Sequence, residues 1–66
     1  MQWKQFFEMM IIAERAARAQ YETALKAADD PQLRAVLQRL RDEEEFHAEY
    51  LQDNWPRLQQ TLEREE

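Results

Sequence analysis

The residues of this sequence best suited to chemistry are a glutamate and a histidine three positions apart, Glu44 and His47. His47 is the only histidine of the chain. On a helix this spacing places both side chains on one face, so a carboxylate and an imidazole could bind the same metal ion. Glutamate is common on helices, so the pair matters only if the rest of the chain turns it towards the interior.

The composition limits the chain to one small helical domain. Its 66 residues include no glycine, no cysteine and two prolines, which predicts an all-α fold without disulfides or thiolate metal ligands. A core of this size is only marginally stable, so a metal or oligomerisation is expected to contribute. The net charge of −5 argues against nucleic acid and anionic membranes as partners. No stretch has the character of a membrane span or an export signal, so a cytoplasmic protein is expected.

The first predicted helix covers residues 2–28 and has one apolar seam, meaning the positions that recur in alternating steps of four and three. This seam contains a single charged residue among apolar ones: Trp3, Phe7, Met10, Glu14, Ala17, Tyr21, Ala24 and Ala28. Apolar side chains outside the seam, such as Phe6 and Ile12, widen the surface of its N-terminal half. More than one partner helix must therefore cover it.

A short connection separates this helix from the second one. Asp30 is a good N-cap, and Pro31 is tolerated at the first position of a helix. So short a connection makes the two helices antiparallel neighbours. Because proline disrupts a helix interior, residues 54–56 are expected to end the second helix at about residue 53. A short third helix is predicted for residues 57–64.

The seam of the second helix, predicted for residues 31–53, is also apolar except at one level. Its residues are Leu33, Leu37, Leu40, Glu44, His47, Leu51 and Asn54. Within the acidic run at residues 42–45, only Glu44 belongs to the seam and is expected to face inwards. The other carboxylates lie on other faces of the helix. Val36, Phe46 and Tyr50 widen the apolar surface beside it.

The polar positions of the two seams fall at one height in the predicted hairpin. Glu14 lies about fifteen residues before the turn, and Glu44 and His47 lie about sixteen after it on average. At a rise of about 1.5 Å per residue, both groups lie roughly 23 Å from the turn. Burying two carboxylates without a positive partner is costly, and neither seam has a lysine or arginine at this level. A metal cation is the predicted partner.

One hairpin supplies too few ligands to close such a site. It has two carboxylates and one imidazole, whereas two hairpins supply four glutamates and two histidines. That is the ligand set of ferritin-like di-iron sites, in which two helices of a bundle each give a Glu and the other two a Glu-x-x-His. A homodimer that forms a four-helix bundle is therefore expected at minimum, with metal binding and dimerisation as one event.

The chain resembles the encapsulated ferritins, two-helix members of the ferritin-like di-iron superfamily. The resemblance rests on the spacing of Glu14, Tyr21, Glu44 and His47, on the turn before Pro31, on residues 41–44 and on the segment around residue 55. It implies that Glu14, Glu44 and His47 are ferroxidase ligands for two iron ions between two subunits, and that Tyr21 lies beside the site. It also implies a ring of ten chains joined by the terminal segments, and an encapsulin compartment that stores the oxidised iron.

Two features depart from the family pattern. Encapsulated ferritins have extra acidic residues near the first glutamate ligand, which attract iron at an entry site, whereas Ala13, Ala16 and Ala17 occupy those surroundings here. Cargo members of the family also end in an apolar targeting tail, and this sequence ends at Glu66. A truncated chain, part of a larger polypeptide and a relative that is not encapsulated remain alternatives.

The expected function is that of a ferroxidase, which oxidises Fe²⁺ to Fe³⁺ with dioxygen or peroxide, although other divalent metals could substitute. One alternative is a rubrerythrin-like peroxidase, which usually needs a cysteine-ligated iron domain that this chain lacks. The other is a non-catalytic helical hairpin that oligomerises and whose polar level fixes its register. Tyr21 is expected either to hydrogen-bond a ligand carboxylate or to fill the core.

Overall fold

The computed structural model describes residues 1–65, with side chains for residues 1–62, and consists of two helices. They are α1 (Trp3–Ala27) and α2 (Pro31–Glu65), and the described residues contain no strand. The helices form an antiparallel hairpin that measures 52 × 15 × 12 Å. The predicted all-α fold is confirmed, and pairing into a four-helix bundle stays a prediction.

The connection between the helices is closed by hydrogen bonds at both of its ends. The backbone N–H of Leu33 donates to Asp30 Oδ2 at 2.8 Å, which confirms Asp30 as the N-cap of α2. Arg34 donates through Nη1 to the carbonyl oxygens of Leu25 at 2.6 Å and Ala28 at 2.9 Å. The backbone N–H of Ala28 also donates to the Leu25 carbonyl, at 3.4 Å. Arg34 therefore adds to the satisfaction of carbonyl groups where α1 ends and the chain reverses.

The predicted break at residues 54–56 and the separate helix at 57–64 are wrong, because α2 continues through Pro56 to Glu65. Proline has no N–H to donate to the carbonyl four residues earlier, and its ring crowds that carbonyl. A tertiary contact at the same place favours the continuous helix. The ring of Trp55 stacks on Phe7 of α1 with centroids 5.0 Å apart, and Leu62, farther along α2, lines a cleft with Trp3.

The hairpin encloses little apolar surface. Among the described side chains, the buried apolar ones are Leu25, Ala28 and Ala48. Large apolar side chains remain exposed on both helices, with exposed fractions of 67% at Ile12 and 63% at Phe46. Soluble monomers rarely leave large apolar patches in water. Burial of these side chains by a second chain stays a prediction.

Neither helix has, within residues 1–65, a segment that is long and apolar enough to cross a membrane.

Replacing Pro56 by Ala should stabilise the protein by about 1–3 kcal/mol, because alanine restores the missing backbone hydrogen bond inside α2. Urea unfolding followed by circular dichroism at 222 nm, at one protein concentration, measures the change. Gln60→Ala, at an exposed position of the same helix, is the control and should change stability far less. An unchanged or lowered stability of Pro56→Ala would show that the chain does not run as one helix through this residue.

Candidate metal centre

The three sequence-predicted ligands come together near the middle of the hairpin. Glu14 projects from α1, and Glu44 and His47 project from α2. Each offers one ligand atom, and these three atoms lie within 4.8 Å of one another. Both helices rise 1.5 Å per residue from a short, capped turn, and the three residues are separated from that turn by similar numbers of residues. They therefore lie at the same height in the hairpin. The grouping agrees with the sequence prediction, while the role of the residues as metal ligands stays a prediction.

The imidazole of His47 connects the two helices at this level. Its Nδ1 lies 3.3 Å from Glu14 Oε2, within hydrogen-bonding distance. The exposed fraction of the side chain is 18% for Glu14 and 51% for His47. Histidine ligands of metals commonly donate one ring N–H to a carboxylate and bind the metal through the other nitrogen. Here the ring nitrogen shown close to a carboxylate is Nδ1.

The carboxylates of Glu14 and Glu44 face each other. A hydrogen bond with Glu14 raises the pKa of Glu44 above its ordinary value, because two carboxyl groups share such a bond only when one is protonated. Partial removal from water and the charge of Glu14 act in the same direction, and His47 acts against them. In the described residues, no lysine or arginine forms an ion pair with either carboxylate. The pair therefore favours a proton or a cation between its oxygens.

The other acidic residues of the run 42–45 have arginine partners outside the site. Arg41 pairs with Asp42 at 3.2 Å, and Arg39 pairs with Glu43 at 3.0 Å. Arg18 of α1 crosses to Glu45 at 3.4 Å. Glu44 differs from its neighbours in facing a carboxylate and an imidazole, as the seam predicts.

Sequence reasoning missed Arg18. It lies one turn after Glu14, pairs with Glu22 of the same helix at 3.1 Å, and joins α1 to α2 beside the site through Glu45 at 3.4 Å. The hydrogen bond to Glu22 and the charge of Glu45 raise the pKa of Arg18. The i,i+4 spacing of Arg18 and Glu22 is visible in the sequence, whereas the contact with Glu45 depends on the rotation of the two helices.

The site lies between two clefts of opposite character. Glu14 and His47 open into an apolar groove of about 410 Å³. We define the apolar groove by its other lining residues, which are Phe6, Phe7, Met10, Phe46, Tyr50 and Leu51. Glu44 instead lines a smaller cleft of about 140 Å³ on the charged side, with Arg18, Glu45 and Glu49 among its neighbours. One side of the site is thus suited to protein packing and the other to water.

Tyr21 does not contact the three candidate ligands within this hairpin. It lies two helical turns from Glu14 on α1, roughly 10 Å along the axis, and its side chain is half-buried. In the described part of the chain, its hydroxyl makes no hydrogen bond with Glu14, Glu44 or His47. A place for Tyr21 beside a site completed by a second chain stays a prediction.

Comparisons with protein-family models, with curated proteins and with solved structures find no match for this chain. The interpretation of the site therefore depends on its own residues and geometry.

Glu44→Gln should stabilise the metal-free protein at neutral pH by a few tenths of a kcal/mol. A folded-state pKa above the unfolded value means that Glu44 favours folding when protonated, at low pH, and that this contribution is lost as the pH rises through the folded pKa. At neutral pH the ionised side chain is repelled by Glu14, and glutamine removes that repulsion. The effect is small because water screens a half-buried pair.

Urea unfolding in a chelator at neutral pH measures this change. Glu43→Gln is the matched control, since it removes the same charge one residue away but breaks the ion pair with Arg39. Glu43→Gln should leave the free energy of unfolding unchanged or lower it slightly. A destabilised Glu44→Gln variant would show that the two carboxylates do not repel each other in the folded state.

Proposed function

We propose that this chain is a ferroxidase that binds and oxidises Fe²⁺ at a site shared between two copies. The observation that supports the proposal best is the convergence of Glu14, Glu44 and His47, whose ligand atoms lie within 4.8 Å of one another. A cation between them would take the place of the proton that the two carboxyl groups share, whose hydrogen bond is the main cause of the raised pKa of Glu44. Carboxylate and imidazole ligands suit iron and manganese.

The apolar groove supports the participation of a second chain. It begins at Glu14 and His47 and continues over aromatic side chains that a soluble protein would not leave in water, such as Phe46 with an exposed fraction of 63%. Two hairpins packed through this groove would form a four-helix bundle and bring four glutamates and two histidines together. This ligand set is sufficient for two iron ions, which are the substrate.

Each residue has a distinct part in the proposed reaction. Glu14 and Glu44 neutralise the charge of the bound ions, and His47 supplies a nitrogen ligand from its neutral imidazole. The groove side chains exclude bulk water when the second copy is in place. Two Fe²⁺ ions give up two electrons, which with two protons reduce dioxygen to hydrogen peroxide, or hydrogen peroxide to two water molecules.

The destination of the oxidised iron is proposed from the resemblance to encapsulated ferritins alone. On that basis the partner is an encapsulin shell, which stores the Fe³⁺ product. The same resemblance is the basis for proposing a ring of ten chains built from dimers.

One observation favours a second candidate, a non-catalytic oligomerisation module. The contact between His47 Nδ1 and Glu14 Oε2 at 3.3 Å gives both side chains a polar partner without any metal. Polar side chains at one height of an apolar interface would fix the register of a helical bundle, as a single buried polar residue does in a coiled coil. The two candidates differ in whether the assembly responds to metal.

Purified protein mixed anaerobically with Fe²⁺ should bind about one iron per chain and, on exposure to air, oxidise it faster than the buffer does. His47→Ala should weaken iron binding at least about tenfold, because it removes the nitrogen ligand. Glu14→Gln should also reduce binding, and Glu43→Gln, outside the site, should leave both binding and oxidation unchanged. Isothermal titration and absorbance of Fe³⁺ near 310 nm give the two measurements.

Two results would contradict the proposal. An oxidation rate equal to the buffer blank would exclude ferroxidase activity. Iron binding that is unchanged in both His47→Ala and Glu14→Gln would exclude this site. Thermal unfolding with chelator and with Fe²⁺ then separates the candidates, since a shared metal site raises the melting temperature with iron and a plain oligomerisation module does not.

A further inference from the structure

We propose that α1 has a second self-association surface, on the face that points away from both α2 and the metal centre, and that its occupant is α1 of another copy. We call this surface the outer stripe. It is defined by six exposed residues at steps of four and three: Gln5, Met9, Ile12, Ala16, Ala19 and Thr23.

The outer stripe lies opposite the contact with α2. Phe7, Glu14 and Arg18 face α2, because they stack on Trp55 or form polar contacts across the hairpin. At about 100° per residue, Ile12 and Met9 both lie more than 100° around the helix from each of these positions. The exposed fractions of 68% at Met9 and 67% at Ile12 agree with that placement.

A second copy in the apolar groove would not cover the outer stripe. On α1 the groove includes Phe6 and Met10, whereas the outer stripe occupies a separate, neighbouring face of the same helix. In a four-helix bundle each helix contacts two neighbours, and the side remote from both faces solvent. Met9 and Ile12 would thus stay exposed on the outside of such a dimer.

The outer stripe contains no charged residue, although 35% of the chain is charged. The charged residues of α1 all lie elsewhere on its circumference: Lys4, Glu8, Glu14, Arg15, Arg18, Glu22 and Lys26. A solvated helix face of this length ordinarily includes lysines or glutamates. A face without charge offers nothing for a charged partner to recognise, and it does not repel a copy of itself.

The order of side chains in the stripe makes it complementary to itself. Suppose that two α1 helices pack antiparallel about a two-fold axis near residue 14. Each residue of one copy then lies opposite the residue of the other copy for which the two residue numbers add up to 28. Met9 then lies over Ala19 of the second copy and Ile12 over Ala16, so large side chains meet small ones. Gln5 pairs with Thr23, two side chains that can hydrogen-bond. Large-against-small pairing lets two helices approach closely and fill the space between them.

This contact is independent of the metal centre and of the proposed activity. Combined with the groove, it would give each chain two different self-contacts, and two such contacts join four or more chains. The outer stripe can therefore be tested in chelator, and its failure would leave the ferroxidase proposal standing.

The sharpest test uses the absence of native cysteine. Met9→Cys and Ala19→Cys variants are prepared separately, mixed by unfolding and refolding, and oxidised in chelator. The predicted pairing brings the introduced thiol at position 9 of one chain opposite the one at position 19 of another, within the roughly 7 Å between Cα atoms that a disulfide spans. Identical variants would place their introduced thiols about 15 Å apart along the axis, out of reach.

Covalent dimers should thus form in the mixture at least several-fold more than in either variant alone, as counted by non-reducing electrophoresis and mass spectrometry. No disulfide in the mixture, or equal amounts in the single-variant samples, would overturn the proposed pairing.

The mass of the assembly gives a second test. Ile12→Glu places a charge in the stripe and should at least halve the mass measured by sedimentation with saturating divalent metal. Gln38→Glu adds the same charge at an exposed position of α2 and should keep the wild-type mass. Equal masses for Ile12→Glu and wild type would also overturn the proposal.

Discussion

The interaction on which the rest of this structure depends is the meeting of Glu14 and Glu44 at one level of two otherwise apolar seams. The hydrogen bond with Glu14, partial removal from water and the charge of Glu14 raise the pKa of Glu44, so the pair opposes folding when both carboxyl groups are ionised. His47 relieves part of this cost through its contact with Glu14. The described part of the hairpin has few buried apolar residues to offset this cost. Under the proposed function, a bound cation would offset it.

The described part of the hairpin has a small apolar core. Leu25, Ala28 and Ala48 are the buried apolar residues of its described part, and Phe46 and Tyr50 are more than half exposed. Under the proposed pairing of two hairpins, this surface would become core, and the polar positions of the two chains would lie at the same height. Folding, association and metal binding would then be thermodynamically coupled, because a ligand that binds only the assembled form stabilises that form.

The hairpin has one charged side and one apolar side. One side of the hairpin has arginines paired with carboxylates, as in the contact of Arg18 with Glu45. The other side has the apolar groove, and the site lies between them with Glu44 on the charged side and His47 on the apolar side. A site in this position could receive ions from water on one side while protein excludes water on the other.

The sequence by itself determined the hairpin, its capped turn and the choice of Glu44 from an acidic run, because helical periodicity decides which side chains share a face. It also placed Glu14 at the right height, since rise per residue is constant. Only the tertiary structure decided that α2 continues through Pro56, where stacking of Trp55 on Phe7 opposes a local preference for a break. The approach of the ligand atoms to within 4.8 Å was likewise decided in three dimensions, because it depends on helix rotation and separation, which periodicity leaves open.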